Sequence, residues 1–221
     1  MSRPFIRNHQ FNVIKNQTSH LMKTIATVAD PKVVESVRYG ALARILAAFP
    51  EATEPEKRSL ERFYELKLPE QFASYLSSLS PSLAPFPAVS EAALRRLFPK
   101  AKKLKLPALE AIDFRFVTYL GWTDVAAGKL YLVYELDGRL VGIEGRCAPS
   151  LKKGTCFVCN RLEEVALVTA HVRTKPAHAS PDYYKAVGNY MCADSGVCNG
   201  NVTDVGALES FVRSVLGSRN G

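Results

Sequence analysis

The sequence predicts an α+β protein, with an N-terminal helical bundle followed by a C-terminal mixed α/β domain. Apolar residues recur at helical spacing over residues 1–80, and a proline-rich segment follows at residues 81–88. Beyond residue 114 the apolar spacing shortens towards the two-residue period of β-strands. We therefore expect a helical domain over residues 1–80, a linker over 81–88 and an α/β domain over 89–221.

Composition is that of an ordinary globular protein. The chain has 221 residues, of which 47% are hydrophobic and 23% are charged, and its net charge is +8. It contains no run of about 18 apolar residues that could span a bilayer, and residues 1–9 lack the apolar core of a secretory signal. We expect a cytoplasmic protein with reduced thiols. The positive charge indicates either an acidic partner or solubility alone.

Four helices are predicted before the linker. The second helix starts at Pro31, a residue suited to the first turn, with Asp30 able to cap it. Thr53 and Glu56 form a capping-box pattern at the start of the third helix, and Pro69 marks the start of the fourth. Their apolar faces include Phe11, Ile14, Leu21, Val34, Ile45, Leu60, Phe63, Phe72 and Tyr75.

A basic cluster follows the linker. Ser90 and Glu91 are typical of a helix start, and the cluster begins near the end of that helix. Such a run is either a solvated face or a surface that binds nucleic acid. Its six members lie within eleven residues and are Arg95, Arg96, Lys100, Lys102, Lys103 and Lys105.

The second half of the chain contains strand patterns and one turn signal. Asp137-Gly138 is typical of a tight hairpin turn between two strands. A final helix is expected from about Thr203 to Leu216. The predicted strands are Phe114–Leu120, Lys129–Leu136, Leu140–Glu144 and Val165–Val172.

Four of the five cysteines form two pairs. Cys156 and Cys159 make a Cys-x-x-Cys turn, which can aim both sulfurs at one metal ion. Cys192 and Cys198 stand before the predicted terminal helix, and the chain between the pairs is long enough for a β-hairpin. A knuckle, a hairpin and a helix with two ligands near its start form the treble-clef arrangement of zinc fingers.

Zinc fits this cysteine set best, because four soft thiolates demand only a tetrahedron. Rubredoxin-like iron, redox dithiol chemistry and four unrelated buried thiols are the alternatives. His171 or His178, which lie between the pairs, could replace a cysteine as ligand. Cys147 remains, and we expect it to be a buried strand residue.

A binding function is favoured over catalysis. Four thiolates leave no open coordination position on zinc, so the ion would hold the fold rather than activate water. The sequence has no phosphate-binding glycine loop, no nucleophile elbow and no His-Glu-x-x-His pattern. We therefore expect a protein that is not an enzyme.

Two segments resemble the FusB-type elongation factor G-binding proteins, which include the fusidic acid resistance proteins of Gram-positive bacteria. The first is Gly188–Ser195, followed by Cys198-Asn199 and Val202–Asp204, and the second is the knuckle Cys156–Asn160. The order of a helical bundle and a four-cysteine domain is similar over essentially the whole chain.

This resemblance implies a function and a partner. Members bind elongation factor G mainly through the zinc domain, and they promote its release from ribosomes stalled by fusidic acid, without modifying the antibiotic. The implied contact residues are Phe157, Lys185, Tyr190 and Phe211, although Phe157 and Phe211 could instead pack the core. The alternative function is a zinc-containing RNA- or ribosome-binding module that uses residues 95–105.

Overall fold

The computed structural model describes residues 3–174, 178, 180 and 183–217. Its contacts divide the chain into two compact units, one ending at Ala84 and the other starting at Pro85. This division falls inside the segment that the sequence marks as a linker. The limits 1–80 and 89–221 stay predictions.

The first unit, here called the helical unit, contains α1 (Asn8–Thr27), α2 (Pro31–Ala47), α3 (Glu54–Glu61) and α4 (Pro69–Ser78). The Asp30 carboxylate accepts a hydrogen bond of 2.8 Å from the Lys32 amide, so α2 starts where its cap predicts. The Glu56 carboxylate accepts a hydrogen bond of 2.8 Å from the Thr53 amide in a capping box. Within the described part of the chain, no helix has the length and apolar character needed to cross a membrane.

One apolar core holds the helical unit together. A backbone bridge between Ile6 and Leu83 joins its two ends. Arg38 is buried, and its guanidinium donates hydrogen bonds to the carbonyls of Tyr64 and Leu66. The core side chains include Ile6, Phe11, Ile14, Leu21, Ala41, Ile45, Leu60, Phe63, Phe72, Tyr75 and Leu83.

The second unit, here called the C-terminal unit, is built on a five-stranded antiparallel sheet in which consecutive strands are neighbours. A short helix, α5 (Glu91–Leu97), precedes the sheet, and α6 (Ser195–Asn201) and α7 (Gly206–Leu216) follow it. The strands are β1 (Leu120–Asp124), β2 (Lys129–Leu136), β3 (Arg139–Thr155), β4 (Leu162–His171) and β5 (Ala186–Cys192).

The hairpin between β2 and β3 forms at the predicted turn. Asp137 and Gly138 have φ angles of 51° and 73°, and both left-handed positions match a two-residue type I′ turn. Leu136 then pairs with Arg139, which sets the register of the two strands. The turn therefore determines which face of β3 meets the core.

Two sequence predictions in this unit are wrong. Phe114–Phe116 is a 3-10 turn rather than a strand, because the Asp113 carboxylate caps it by accepting a hydrogen bond of 3.1 Å from the Arg115 amide. The Phe114 ring stacks on Phe86 at 6.5 Å, so the aromatic character reflects packing instead of strand pairing. Cys147 lies on β3 as expected, but it is half-buried rather than buried.

Both faces of β2 are buried, because different elements cover them. Leu132 packs into a core that includes Leu208 and Val212 of α7. Its neighbour Tyr131 packs into a second core with Phe98, which follows α5. This double cover explains why β2 reads as a nearly continuous apolar run.

Candidate metal centre

The turn between β3 and β4 forms the first half of the centre. The Asn160 amide donates a hydrogen bond of 2.9 Å to the Cys156 carbonyl. The Cys156 amide donates one of 2.9 Å to the backbone carbonyl of Arg161. Asn160 has a φ angle of 53°, a left-handed conformation that asparagine adopts more readily than most residues. The turn thereby brings Cys156 and Cys159 together.

The second half comes from the end of β5 and from α6. Cys192 is the last residue of β5 and pairs with Val165 of β4. The Asp194 carboxylate caps α6 by accepting a hydrogen bond of 2.7 Å from the Gly196 amide. The sequence predicted this pair before the terminal helix, whereas Cys198 lies within a separate short helix.

The four sulfurs have the spacing of a zinc tetrahedron. All four Sγ atoms lie within 4.8 Å of one another. Cys156 Sγ and Cys198 Sγ are 3.8 Å apart, and Cys159 Sγ and Cys192 Sγ are 3.6 Å apart. A Zn–S bond of about 2.3 Å implies tetrahedral S···S edges of about 3.8 Å. The cysteines are free and buried, so the donor set fits one structural zinc ion, as predicted.

Histidine does not enter this cluster. Among the described residues, the metal-binding group consists of the four cysteines and contains neither His171 nor His178. The His171 ring instead contacts the Tyr184 ring at 5.7 Å.

The four cysteines can all be ionised together only if a cation lies among their sulfurs. Hydrogen bonds from the Cys192 and Cys198 thiols lower the pKa of Cys156, and the Cys192 amide also donates to Cys156 Sγ at 3.3 Å. The same hydrogen bonds to Cys156 raise the pKa values of Cys192 and Cys198. One thiolate therefore opposes ionisation of its neighbours, and four thiolates coexist only around a positive ion.

Asn199 anchors α6 to the segment that enters β1. Its side-chain oxygen accepts hydrogen bonds of 2.8 Å from the Thr118 amide and 3.2 Å from the Tyr119 amide. Its side-chain nitrogen donates one of 2.9 Å to the Tyr119 carbonyl. Ser195 adds a hydroxyl hydrogen bond of 2.6 Å to the Gly121 carbonyl. These contacts fix the position of Cys198 through its own helix.

Tyr119 lies behind the metal centre. Its ring is fully buried, and its hydroxyl makes no hydrogen bond to nitrogen or oxygen within the described residues. Burial raises its pKa well above the usual value, and the neighbouring Cys198 sulfur raises it further. The hydroxyl therefore stays protonated and faces the sulfur cluster.

The four residues that the resemblance implies as partner contacts differ in exposure. Tyr190 is 51% exposed, and Lys185 is also exposed. Phe157 is half-buried, with its ring 5.3 Å from the ring of Phe211. Phe211 is only 4% exposed, which agrees with a role in packing the core. The Phe157 amide donates a hydrogen bond of 2.8 Å to the Tyr190 carbonyl, which ties the knuckle to β5.

Sequence reasoning missed further exposed side chains near this site. Leu167 pairs with Tyr190 across β4 and β5 and is 37% exposed. Four residues further along each strand the same face continues to His171 and Ala186, and the Tyr184 ring contacts the His171 ring at that end. We call Leu167, His171, Tyr184 and Tyr190 the outer strip. No pattern in the sequence distinguishes Leu167 from the buried apolar residues Val165, Ala166 and Val168 of the same strand.

The fold and the site define a class of protein that has a helical unit followed by a treble-clef unit. One structural zinc ion stabilises the treble-clef unit. The family described as elongation factor G-binding protein, N-terminal, matches residues 5–87. The family described as FBP C-terminal treble-clef zinc-finger matches residues 97–210. The chain belongs to the family of elongation factor G-binding proteins, as its motifs predicted.

A solved structure supports the same assignment. The fusidic acid resistance protein FusC superposes with a TM-score of 0.79 and 27% sequence identity, over 96% of this chain and 97% of that chain. A comparison with curated proteins found no match. The predicted α+β fold, with helices first and a four-cysteine treble clef later, is confirmed.

Proposed function

We propose that this chain binds elongation factor G and promotes its release from ribosomes that fusidic acid has stalled. Membership of the elongation factor G-binding family and the likeness to FusC support this function. The observation that carries it is the zinc-braced treble clef beside an exposed aromatic strip. Because the partner is a translation factor, we place the protein in the cytoplasm. It would contact the ribosome indirectly, through elongation factor G.

The outer strip is the proposed docking face. Tyrosine is enriched among residues that dominate binding energy, and Tyr190 projects from β5 only two residues before the ligand Cys192. The zinc ion and the knuckle hold this strand in place before binding. A face that is already ordered loses less conformational entropy when a partner docks. Lys185 adds a positive charge immediately before the same strand.

Release follows from a difference in affinity. A partner that binds the releasing conformation of elongation factor G better than the trapped one shifts the population towards release. The net charge of +8 would speed encounter with an acidic factor. The antibiotic needs no chemical change in this scheme.

Binding, not catalysis, is the proposed activity. Four thiolates complete the tetrahedron around zinc and leave no position for a water molecule or a substrate. The ion therefore orders the docking face and takes no part in a reaction.

Translation in vitro under fusidic acid tests the whole function. We expect this protein to restore synthesis and the Cys192→Ser variant to fail, because the variant lacks one zinc ligand. Cys147→Ser is the matched control, since Cys147 lies outside the metal cluster. Equal rescue by Cys192→Ser, or no rescue by the unchanged protein, would contradict the proposal.

The Tyr190→Ala variant tests the docking face separately. We expect affinity for purified elongation factor G to fall at least tenfold, which corresponds to about 1.4 kcal/mol, because an exposed aromatic anchor is lost. Titration calorimetry measures this change. Val125→Ala is the control, since Val125 is 86% exposed at the turn between β1 and β2. Unchanged affinity in Tyr190→Ala would place the contact elsewhere.

A further inference from the structure

We propose that the end of α5 and the turn that follows it form an RNA-binding surface that recognises phosphate groups. We call Arg96, Lys100, Lys102 and Lys103 the basic loop. All four side chains are exposed, and they lie within eight consecutive residues. The release function proposed above does not use these four residues.

The charge of the basic loop is not neutralised by neighbours. Its two flanking bases are paired, Arg95 with Glu91 at 3.7 Å and Lys105 with Asp124 at 3.7 Å. The four loop residues form no ion pair with any described residue, and residues 92–109 contain no acidic side chain. Their full positive charge therefore faces solvent.

The backbone that carries these charges is held firmly. Phe98 is buried, and its ring contacts Trp122 at 5.7 Å and Tyr131 at 5.0 Å. The Trp122 indole nitrogen donates a hydrogen bond of 2.8 Å to the Lys105 carbonyl. Leu104 is also buried, so both ends of the turn are fixed to the sheet. A surface ordered in this way loses little entropy on binding.

A glycine on β3 allows the end of α5 to pack closely against the sheet. A Cβ atom at Gly142 would lie 2.8 Å from the Phe98 ring and 3.0 Å from Leu97. Any larger residue at this position would push the end of α5 away from β3. The position of the basic loop therefore depends on a contact that only glycine allows.

Positive charge continues beyond the loop. Lys100 lines a cavity of about 540 Å³ together with Arg173. Arg173 is exposed, and its guanidinium is oriented by a hydrogen bond to the Gly142 carbonyl. The one acidic residue lining the cavity, Glu144, is paired with Lys129.

The chemistry of the basic loop fits phosphate better than a protein surface. Binding energy between proteins centres on exposed aromatic and apolar anchors, whereas the leucines and Phe98 of this segment are turned inward. Closely spaced bases without such anchors match the dense charge of a nucleic acid backbone. The choice of RNA over DNA rests on the proposed function, which brings the protein to the ribosome.

Fluorescence anisotropy with a labelled 20-base-pair RNA duplex tests this surface. We expect binding to weaken roughly 100-fold between 50 and 200 mM salt, as about four phosphate contacts require. Changing all four loop residues to Gln should reduce affinity at least tenfold at low salt and flatten the salt dependence. The matched control changes Lys23, Lys32, Arg44 and Lys67, four exposed bases of the helical unit, to Gln. Both variants have a net charge of 8 − 4 = +4.

Three results would overturn the proposal. They are no binding of the duplex by the unchanged protein, equal losses in the loop variant and the charge-matched control, and equal competition by a 20-residue polyglutamate. Affinity for elongation factor G, measured on the same variants, separates the two proposals. We expect the loop variant to retain it, and loss of that affinity with unchanged RNA binding would assign the loop to the protein partner instead.

Discussion

The two units of this protein are stabilised in different ways. In the helical unit, apolar side chains from neighbouring helices fill one core, and caps such as Asp30 act within a few residues. In the C-terminal unit, the core is completed by four sulfurs and by Asn199, which bonds to residues 80 and 81 positions away. The helical unit therefore depends mainly on apolar packing between helices, whereas the C-terminal unit depends in addition on a metal ion.

This difference predicts that the two units respond separately to perturbation. A structural zinc site contributes about 10–16 kcal/mol, which exceeds the total stability of a typical small domain. The helical unit has no such site among its described residues. Changes at the metal should therefore unfold one unit and leave the other folded.

Removal of zinc should have the largest effect. We expect a chelator, or the Cys192→Ser change, to abolish the strand signal in circular dichroism while the helical signal of residues up to Ala84 persists. Limited proteolysis should then leave a fragment that covers the helical unit. Cys147→Ser should keep both the metal and the signal, since Cys147 is not a ligand. An intact sheet after complete zinc removal would contradict a structural role for the ion.

Asn199→Ala should have the next largest effect, confined to the C-terminal unit. The change removes three buried hydrogen bonds of the Asn199 side chain, and we expect the free energy of unfolding of this unit to fall by about 3 kcal/mol or more. Denaturant titration with zinc present measures this loss. Asn201→Ala is the control, because the side-chain nitrogen of Asn201 donates an exposed hydrogen bond of 2.9 Å to the Val197 carbonyl. Equal losses in the two variants would argue against the anchoring role of Asn199.

Arg38→Met should have a smaller effect, confined to the helical unit. The change keeps the apolar stem but removes the hydrogen bonds to Tyr64 and Leu66, so we expect a loss of about 2 kcal/mol. Thermal melting followed by helical ellipticity should detect it, with the C-terminal transition unmoved. Arg44→Met, at an exposed position, should change stability by less than about 0.5 kcal/mol. A shift in the C-terminal transition would show that the units are coupled.

Features set by neighbouring residues could be predicted from the sequence. The starts of α2 and α3 follow from their caps, and the Asp137-Gly138 turn follows from its preference for left-handed backbone. The metal ligands were also predictable, because a Cys-x-x-Cys pair and a second cysteine pair carry their own chemistry. The exclusion of His171 and His178 from the ligand set, which the sequence left open, required the tertiary structure.

Features set by distant contacts could not be predicted in the same way. Phe114–Phe116 has strand-like composition, yet its Phe114 ring packs against Phe86 and the segment turns. Asn199 looks like an ordinary polar residue until Thr118 and Tyr119 are brought next to it. The outer strip likewise depends on the pairing of β4 with β5, which single-strand patterns do not specify.

The split origin of the zinc ligands has a consequence for biosynthesis. Cys156 and Cys198 are separated by 42 positions. At roughly 5–20 residues per second, about 2–8 seconds pass between the synthesis of Cys156 and the synthesis of Cys198, the last of the four ligands. During that interval the nascent protein holds an incomplete set of thiol ligands, so we expect the zinc supply at the moment of translation to affect how much of it matures.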